Sequence, residues 1–232
     1  MTFGRPHRHF RVTDSTNSRA RELAEAGAPG GTVVTATEQT AGRGRRGRSW
    51  TAPAGGALLY SAIVRPLERR HGLLPLAAAV AVCEAAEALE DGLECRIKWP
   101  NDVWVDGRKL AGILIEARPQ EGWAVVGVGL NLAITTEQFP PELRETATSL
   151  TSAPPAETAR AALDERLGSW VEAEADDVAV AWGGRDALRG REISWDGGSG
   201  VADGVSETGD LLVLTAGGDR VALGAGEVHL RL

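Results

Sequence analysis

Few folds can accommodate residues 73–89, where Ala and Leu dominate and polar side chains barely interrupt. Good helix formers in so apolar a run predict a long helix buried on most of its sides. Its most apolar part, residues 73–83, is well short of a bilayer crossing and carries Pro75, so the helix belongs in a protein core. A chain of 232 residues is long enough to build one or two domains around it.

The surrounding segments read mostly as strands. β-branched or alternating patterns predict strands at 9–13, 32–37, 57–64, 94–98, 103–105, 109–117 and 123–129. The Asp106-Gly107 pair is a tight hairpin signal between two of them. Asp14-Ser15-Thr16 supplies helix-start chemistry for a helix over 17–26, which the glycines of 27–31 close. Leu163, Leu167, Trp170 and Val171 at helical spacing predict one helix over 155–180, broken by Gly183-Gly184. Beyond it, β-prone runs at 192–195, 200–205, 211–215, 220–223 and 228–230 alternate with Gly-rich turns. They predict a small β-barrel and a domain boundary near residue 184.

Composition removes several classes. With 43% hydrophobic and 25% charged residues, the chain is neither disordered nor low in complexity. Residues 1–11 lack the apolar stretch of a secretory signal, and the only cysteines are Cys83 and Cys95. A reducing cytoplasm without a disulfide framework is expected. A net charge of −7 opposes a general nucleic-acid-coating role. No Cys/His cluster has metal-ligand spacing, and no membrane span is available.

All but two of the 25 basic residues are arginine, and asparagine occurs only at 17, 101 and 131. Genomic base composition accounts for that scarcity but not for where the survivors sit. Lys98, Lys109 and the three asparagines all fall in segments that carry chemistry. Residues 42–48 read Gly-Arg-Gly-Arg-Arg-Gly-Arg. Such a loop repels itself and is expected to be mobile until an anion orders it, since guanidinium forks and glycine N–H groups grip carboxylate or phosphate. A solvated basic loop or a nucleic-acid contact is the plainer alternative, but the position directly after a strand suits a lid over a small-molecule site. Lys98-Trp99-Pro100-Asn101-Asp102 joins two strands, and its proline and Asn-Asp turn predict that Lys98 projects from a strand end toward a cleft. Gly112 inside an apolar strand implies a bulge or the close approach of a ligand. Gly127 and Gly129 lack the strand-to-helix setting of a dinucleotide fingerprint, and no P-loop is present.

Taken in order, Ser15-Thr16-Asn17, Glu38-Gln39-Thr40-Ala41 with the Gly/Arg loop, Lys-Trp-Pro-Asn-Asp, Arg-Lys-Leu-Ala-Gly-Ile-Leu-Ile-Glu and Gly-Val-Gly-Leu-Asn-Leu resemble the biotin protein ligase family across residues 9–135. The resemblance implies an α+β fold. Residues 1–184 would form a class II aminoacyl-tRNA synthetase-like, biotin/lipoate ligase catalytic domain, a mixed β-sheet packed with helices. A small Src-homology-3-like β-barrel would follow at 185–232. It implies activation of biotin by ATP to biotinyl-5′-adenylate with release of pyrophosphate, then transfer to a lysine of a biotin carboxyl carrier domain. Mg²⁺ would bridge phosphate oxygens through ligands that the sequence does not name. Family members that double as repressors carry an N-terminal helix-turn-helix domain. Here the first motif begins at residue 13, so DNA binding is not expected.

By the same resemblance Lys98, Arg45 and Arg43 are the expected catalytic groups, stabilising charge on carboxylate and phosphate. Ser15, Thr16, Asn17, Gln39, Gly42, Arg43, Gly44, Arg45, Lys98 and Gly112 would bind biotin, with Ser15, Thr16 and Gln39 on its ureido group. Arg45, Arg48, Trp50, Lys98 and Asn131 would hold ATP and the adenylate, Trp50 packing on the base and Asn131 reading its edge. Asp102 is a candidate for the acceptor step, against its plainer reading as a turn-stabilising aspartate. Monomer and homodimer both remain open. Two alternatives stand beside this reading. One is a lipoate or octanoate ligase of the same superfamily, whose Arg-Arg and triple-glycine pattern is not found. The other is a nucleic-acid binder using the Gly/Arg loop.

Overall fold

The computed structural model describes residues 1–224 and 228–230. The first strand-rich stretch builds one mixed sheet from β1 (His7–Thr13), β2 (Val33–Gln39), β3 (Ala57–Val64), β4 (Arg96–Lys98), β5 (Asp102–Val105), β6 (Arg108–Arg118) and β7 (Trp123–Asn131). Their spatial order is β1-β2-β3-β7-β6-β5-β4, with β1 parallel to β2 and every other neighbour antiparallel. Side-chain alternation splits each central strand between two faces. On β3, Leu58, Tyr60, Ala62 and Val64 join the main core, whereas Leu59 and Ile63 belong to clusters on the opposite face.

Among the described residues are four α-helices: α1 (Thr16–Glu25), α2 (Leu74–Glu87) and α3 (Ala156–Val171), which pack on the sheet, and α4 (Ala175–Gly183), which packs on α2. Helix α1 buries Ala20 and Ala24 against Val34, Ile63, Trp123 and Val125. Helix α2 is the expected buried helix. Its Leu, Ala and Val side chains pack in the main core, with α3 and α4 on one side and β4, β5 and β6 on the other. Pro75 sits in its first turn, where a missing N–H costs no helical bond.

The single helix expected over 155–180 is two helices. Glu172 ends α3, Glu174 is extended, and α4 begins at Ala175. Residues 172–174 are good helix formers, so propensity does not cause the break. A 26-residue rod would be about 39 Å long against about 21 Å for α2. The bend lets Leu163, Leu167, Val178 and Trp182 all reach the core beside α2, and Glu172 is tied to the N-terminal ammonium and Arg70.

The last segment forms β8 (Glu192–Trp195), β9 (Gly198–Val205), β10 (Leu211–Thr215), β11 (Arg220–Leu223) and β12 (His229–Leu230), an antiparallel sheet ordered β11-β10-β9-β8-β12. This is the strand content expected of a small Src-homology-3-like barrel. Ile193, Ala202, Leu211 and Val213 share one apolar core with α2. Residues 225–227, 231 and 232 of the expected C-terminal unit lie outside the described residues. No helix among the described residues is long and apolar enough to cross a membrane.

One buried polar link ties the sheet to α3. The Tyr60 hydroxyl donates to Asp164 Oδ1 at 2.8 Å, and Arg160 pairs with the other carboxylate oxygen. Burial pushes the Asp164 carboxyl above its ordinary value despite both partners. Tyr60→Phe removes one of those partners while keeping the ring in place. Chemical unfolding is expected to show a loss of about 1–3 kcal/mol, and an unchanged midpoint would show that the bond contributes nothing net.

Candidate active site

The site begins with three missing side chains. On the α1 face of the sheet, Leu114, Gly127 and Ser61 lie in one cross-strand row, and Gly112, Gly129 and Leu59 in the next. The glycines lower the floor there, and two side chains use the space. A Cβ added to Gly127 would lie 2.0 Å from Asn17 Oδ1, and one added to Gly129 would lie 2.3 Å from the Trp50 indole. At Gly112 the close approach comes from Trp50 and Lys109, at 3.0 and 3.1 Å from the position of an added Cβ. The expected irregularity is on the same strand, two residues away: Leu110 is the extra residue between Ala111, opposite Val103, and Lys109, opposite Trp104.

Above this floor is a cavity of about 510 Å³. It gathers every residue expected in the site except Gly42: Ser15, Thr16 and Asn17 from the start of α1, Gln39 from β2, Arg43, Gly44, Arg45, Arg48 and Trp50 from the loop, and Lys98, Asp102, Gly112 and Asn131 from the strands. Gly42 is packed beneath the loop, where an added Cβ would lie 2.3 Å from the Trp50 carbonyl oxygen.

One end of the cavity is a neutral polar network. The Thr16 amide and hydroxyl both donate to Gln39 Oε1, at 2.7 and 3.0 Å. Ser61 Oγ lies 2.8 Å from Thr16 Oγ1 and 2.6 Å from Asn17 Oδ1, and Asn17 Nδ2 donates to Glu116 Oε2 at 2.9 Å. Ser15 is the N-cap of α1, yet its hydroxyl makes no cap hydrogen bond. The turn before it is held by Asp14 instead. Burial raises the Asp14 carboxyl, but the Ser15 amide, Thr13 hydroxyl and Arg19 outweigh it and leave the group below its ordinary value.

The other end is cationic. Among the described residues six basic side chains line the cavity (Arg43, Arg45, Arg46, Arg48, Lys98 and Lys109) with one carboxylate, that of Asp102, in a chain whose net charge is −7. The Gly/Arg loop, expected to be mobile without an anion, is drawn into a short hairpin. Gly44 donates to the Arg48 carbonyl at 2.7 Å and Trp50 to the Gly42 carbonyl at 2.9 Å. Protein groups stand where an anion was expected: Arg43 pairs with Glu116 at 2.9 Å and Arg45 donates to Asn101 Oδ1 at 3.1 Å. The tip at Arg46 and Gly47 is left-handed, with φ of 54° and 74°.

Lys98 ends β4 opposite Asp102 and lies 5.0 Å over the Trp104 ring. Asp102, the candidate for the acceptor step, is bound at Oδ1 by Lys109 Nζ at 2.7 Å, with the same ammonium 5.6 Å over Trp50. The pair gives Lys109 a partner inside the pocket. Asn131 uses its Nδ2 to hold the Thr148 carbonyl at 2.8 Å, which leaves its amide oxygen for other donors. Trp50 Nε1 is buried over Gly129 without a hydrogen-bond partner among the described residues. Sequence reasoning gave no role to Ser61, Asn101, Lys109 or Glu116. Ser61 carried a signal, as the one polar side chain besides Tyr60 in an otherwise apolar strand.

The sequence profile of the biotin/lipoate A/B protein ligase family matches residues 9–132. A biotin-acetyl-CoA-carboxylase ligase from Mycobacterium tuberculosis is 36% identical over 236 residues, covering 94% of this chain and 87% of that protein. The bifunctional ligase/repressor BirA of Bacillus spizizenii is 42% identical over 147 residues, 61% of this chain but 45% of its own length. The match thus spans about half of that relative. The structure of biotin protein ligase from Aquifex aeolicus in complex with biotin and ATP superposes with a TM-score of 0.82 at 28% identity, covering 97% of this chain and 98% of the other.

Proposed function

The chain belongs to the biotin/lipoate A/B protein ligase family, and on that premise we propose that it is an ATP-dependent biotin protein ligase. The observation that carries the proposal is the polarity of one cavity. A neutral hydrogen-bonding end suits a ureido ring, and a cationic end suits a carboxylate and a triphosphate.

In the first step a biotin carboxylate oxygen attacks the α-phosphorus of ATP. The new bond closes a mixed anhydride, and the bond to the β-phosphate bridge breaks to release pyrophosphate. Two anions must meet, so fixed positive charge lowers the barrier most. Lys98 and Arg45, with Arg43, are assigned to the carboxylate and phosphate oxygens, and Arg48 to the outer phosphates. Ser15, Thr16 and Gln39 take the ureido group, while Trp50 and Asn131 take the adenine. Mg²⁺ is proposed as the companion of the ATP phosphates, where it would offset their charge. Among the described residues no three His, Cys, Asp or Glu side chains cluster to hold it. In the second step a neutral lysine amine of a biotin carboxyl carrier domain attacks the acyl carbon. AMP leaves, and the amine gives up a proton as the amide forms. A loop held over the adenylate would keep water from the reactive anhydride.

We take residues 1–184 as the catalytic unit and 185–232 as an accessory one. Two buried free cysteines, Cys83 and Cys95, support a reducing cytoplasm as the working compartment. DNA binding forms no part of the proposal.

Incubation with Mg-ATP, biotin and an isolated carrier domain is expected to add one biotinyl group to one lysine, read by mass. An unmodified carrier would refute the transfer step. Ser61→Ala is expected to loosen Thr16 and Asn17 together. Loss of about 1–1.5 kcal/mol of hydrogen bonding would raise the biotin KM about tenfold, with kcat little changed. An unchanged KM would separate Ser61 from ring recognition.

A further inference from the structure

Glu116 is the last pocket-side residue of β6 before the exposed pair Ala117-Arg118, a place where a carboxylate would ordinarily be left to water. Instead it is 28% exposed, and a single oxygen, Oε2, accepts two hydrogen bonds of 2.9 Å, from Arg43 Nη2 and Asn17 Nδ2. Arg21 faces the other oxygen at 3.9 Å. The two donors come from unlike places: Arg43 from the Gly/Arg loop, and Asn17 from the ring end of the pocket.

The loop also borders a second cavity of about 780 Å³, lined by Glu116, the start of α2 and the turn around Gly209 between β9 and β10. The two cavities adjoin and share Arg43, Arg45, Arg48, Trp99 and Asn101, while Glu116 lines the second only. The amide of Asn17 is fixed from both sides, accepting from Ser61 and donating to Glu116. Removal of the carboxylate would leave Arg43 without this anchor and Asn17 free to turn.

We propose that Glu116 is a positioning residue that latches the Gly/Arg loop over the occupied pocket, and that by sharing one oxygen between Arg43 and Asn17 it ties loop closure to the ring end. This inference rests on the ligase reading above. It predicts that the latch acts on retention of the bound intermediate, and that the charge on the carboxylate matters more than its bulk. Both partners are partly exposed, so water screens the pair and the expected effect is about tenfold rather than larger.

The test compares wild type, Glu116→Ala, Glu116→Gln, Arg43→Ala and the Glu116→Ala/Arg43→Ala double variant. Glu116→Ala is expected to release synthetic biotinyl-5′-adenylate about tenfold faster and to raise the biotin KM more than it lowers kcat. Its thermal midpoint should stay that of wild type, and Glu116→Gln should fall between the two. The double variant should release adenylate more slowly than the two single effects multiplied together, because both changes break the Glu116–Arg43 link and only Glu116→Ala also frees Asn17. Additive effects, an unchanged release rate, or a fall in midpoint that accounts for the loss would each overturn the latch. Limited trypsin cleavage within the loop, without ligand, should be faster in Glu116→Ala than in wild type, and equal rates would also overturn it. That readout needs no turnover. A wild type that forms no adenylate from biotin would therefore count against the ligase reading, while the loop still reports on the latch.

Discussion

Lys98→Ala is expected to lower biotin-dependent pyrophosphate release by about 10²–10³-fold, the usual cost of removing one preorganised donor from developing negative charge, about 2.7–4 kcal/mol in barrier. The fold should survive. Lys98 ends a short strand that is held by backbone pairing to β5, and its contact with the Trp104 ring is worth only about 0.5–1 kcal/mol. The kinetic effect should therefore far exceed the loss in unfolding free energy. Lys98→Arg should restore charge but not rate, since a planar fork does not replace a compact ammonium. Normal pyrophosphate release by Lys98→Ala would remove Lys98 from the mechanism.

Arg45→Gly should leave activation partly intact and fail at retention. Arg45 joins the Gly/Arg loop to the turn after β4 through Asn101, whose own Nδ2 is anchored on the Ile113 carbonyl at 2.9 Å. Losing this charge-assisted bond, in a loop that gains another glycine, is expected to speed adenylate dissociation about ten- to hundredfold. Escaped adenylate acylates amines without selection, so bystander proteins in the mixture should become biotinylated. Adenylate dissociation at the wild-type rate, with labelling confined to the carrier, would refute the lid.

Local chemistry made much of this molecule legible. The all-apolar helix, the Asp106-Gly107 hairpin and the five C-terminal runs each follow from side chains close in sequence, and each forms near its expected limits. The scarce lysines and asparagines pointed to the pocket because a chain so rich in arginine keeps them only where shape matters. What stayed hidden depends on distant partners. Arg43 finds Glu116 73 positions away, and Arg45 finds Asn101 56 away. No feature of a Gly/Arg loop announces either, so it read as self-repelling. The pairing of Asp102 with Lys109 is not legible locally, because the bulge that places Lys109 beside it arises from strand pairing. The bend at 172–174 brings Leu163, Leu167, Val178 and Trp182 to one core and is tied by Glu172 to distant partners, neither of which local propensity shows. The roles of Gly127 and Gly129 emerged only with register, which sets them beneath Asn17 and Trp50.

The most direct test of the central claim is pyrophosphate release by the purified protein with Mg-ATP, comparing biotin, lipoate, octanoate and no acid, with mass analysis of the product. Release that requires biotin and yields biotinyl-5′-adenylate is the predicted result. Release with lipoate or octanoate instead, or with none of the acids, would contradict it.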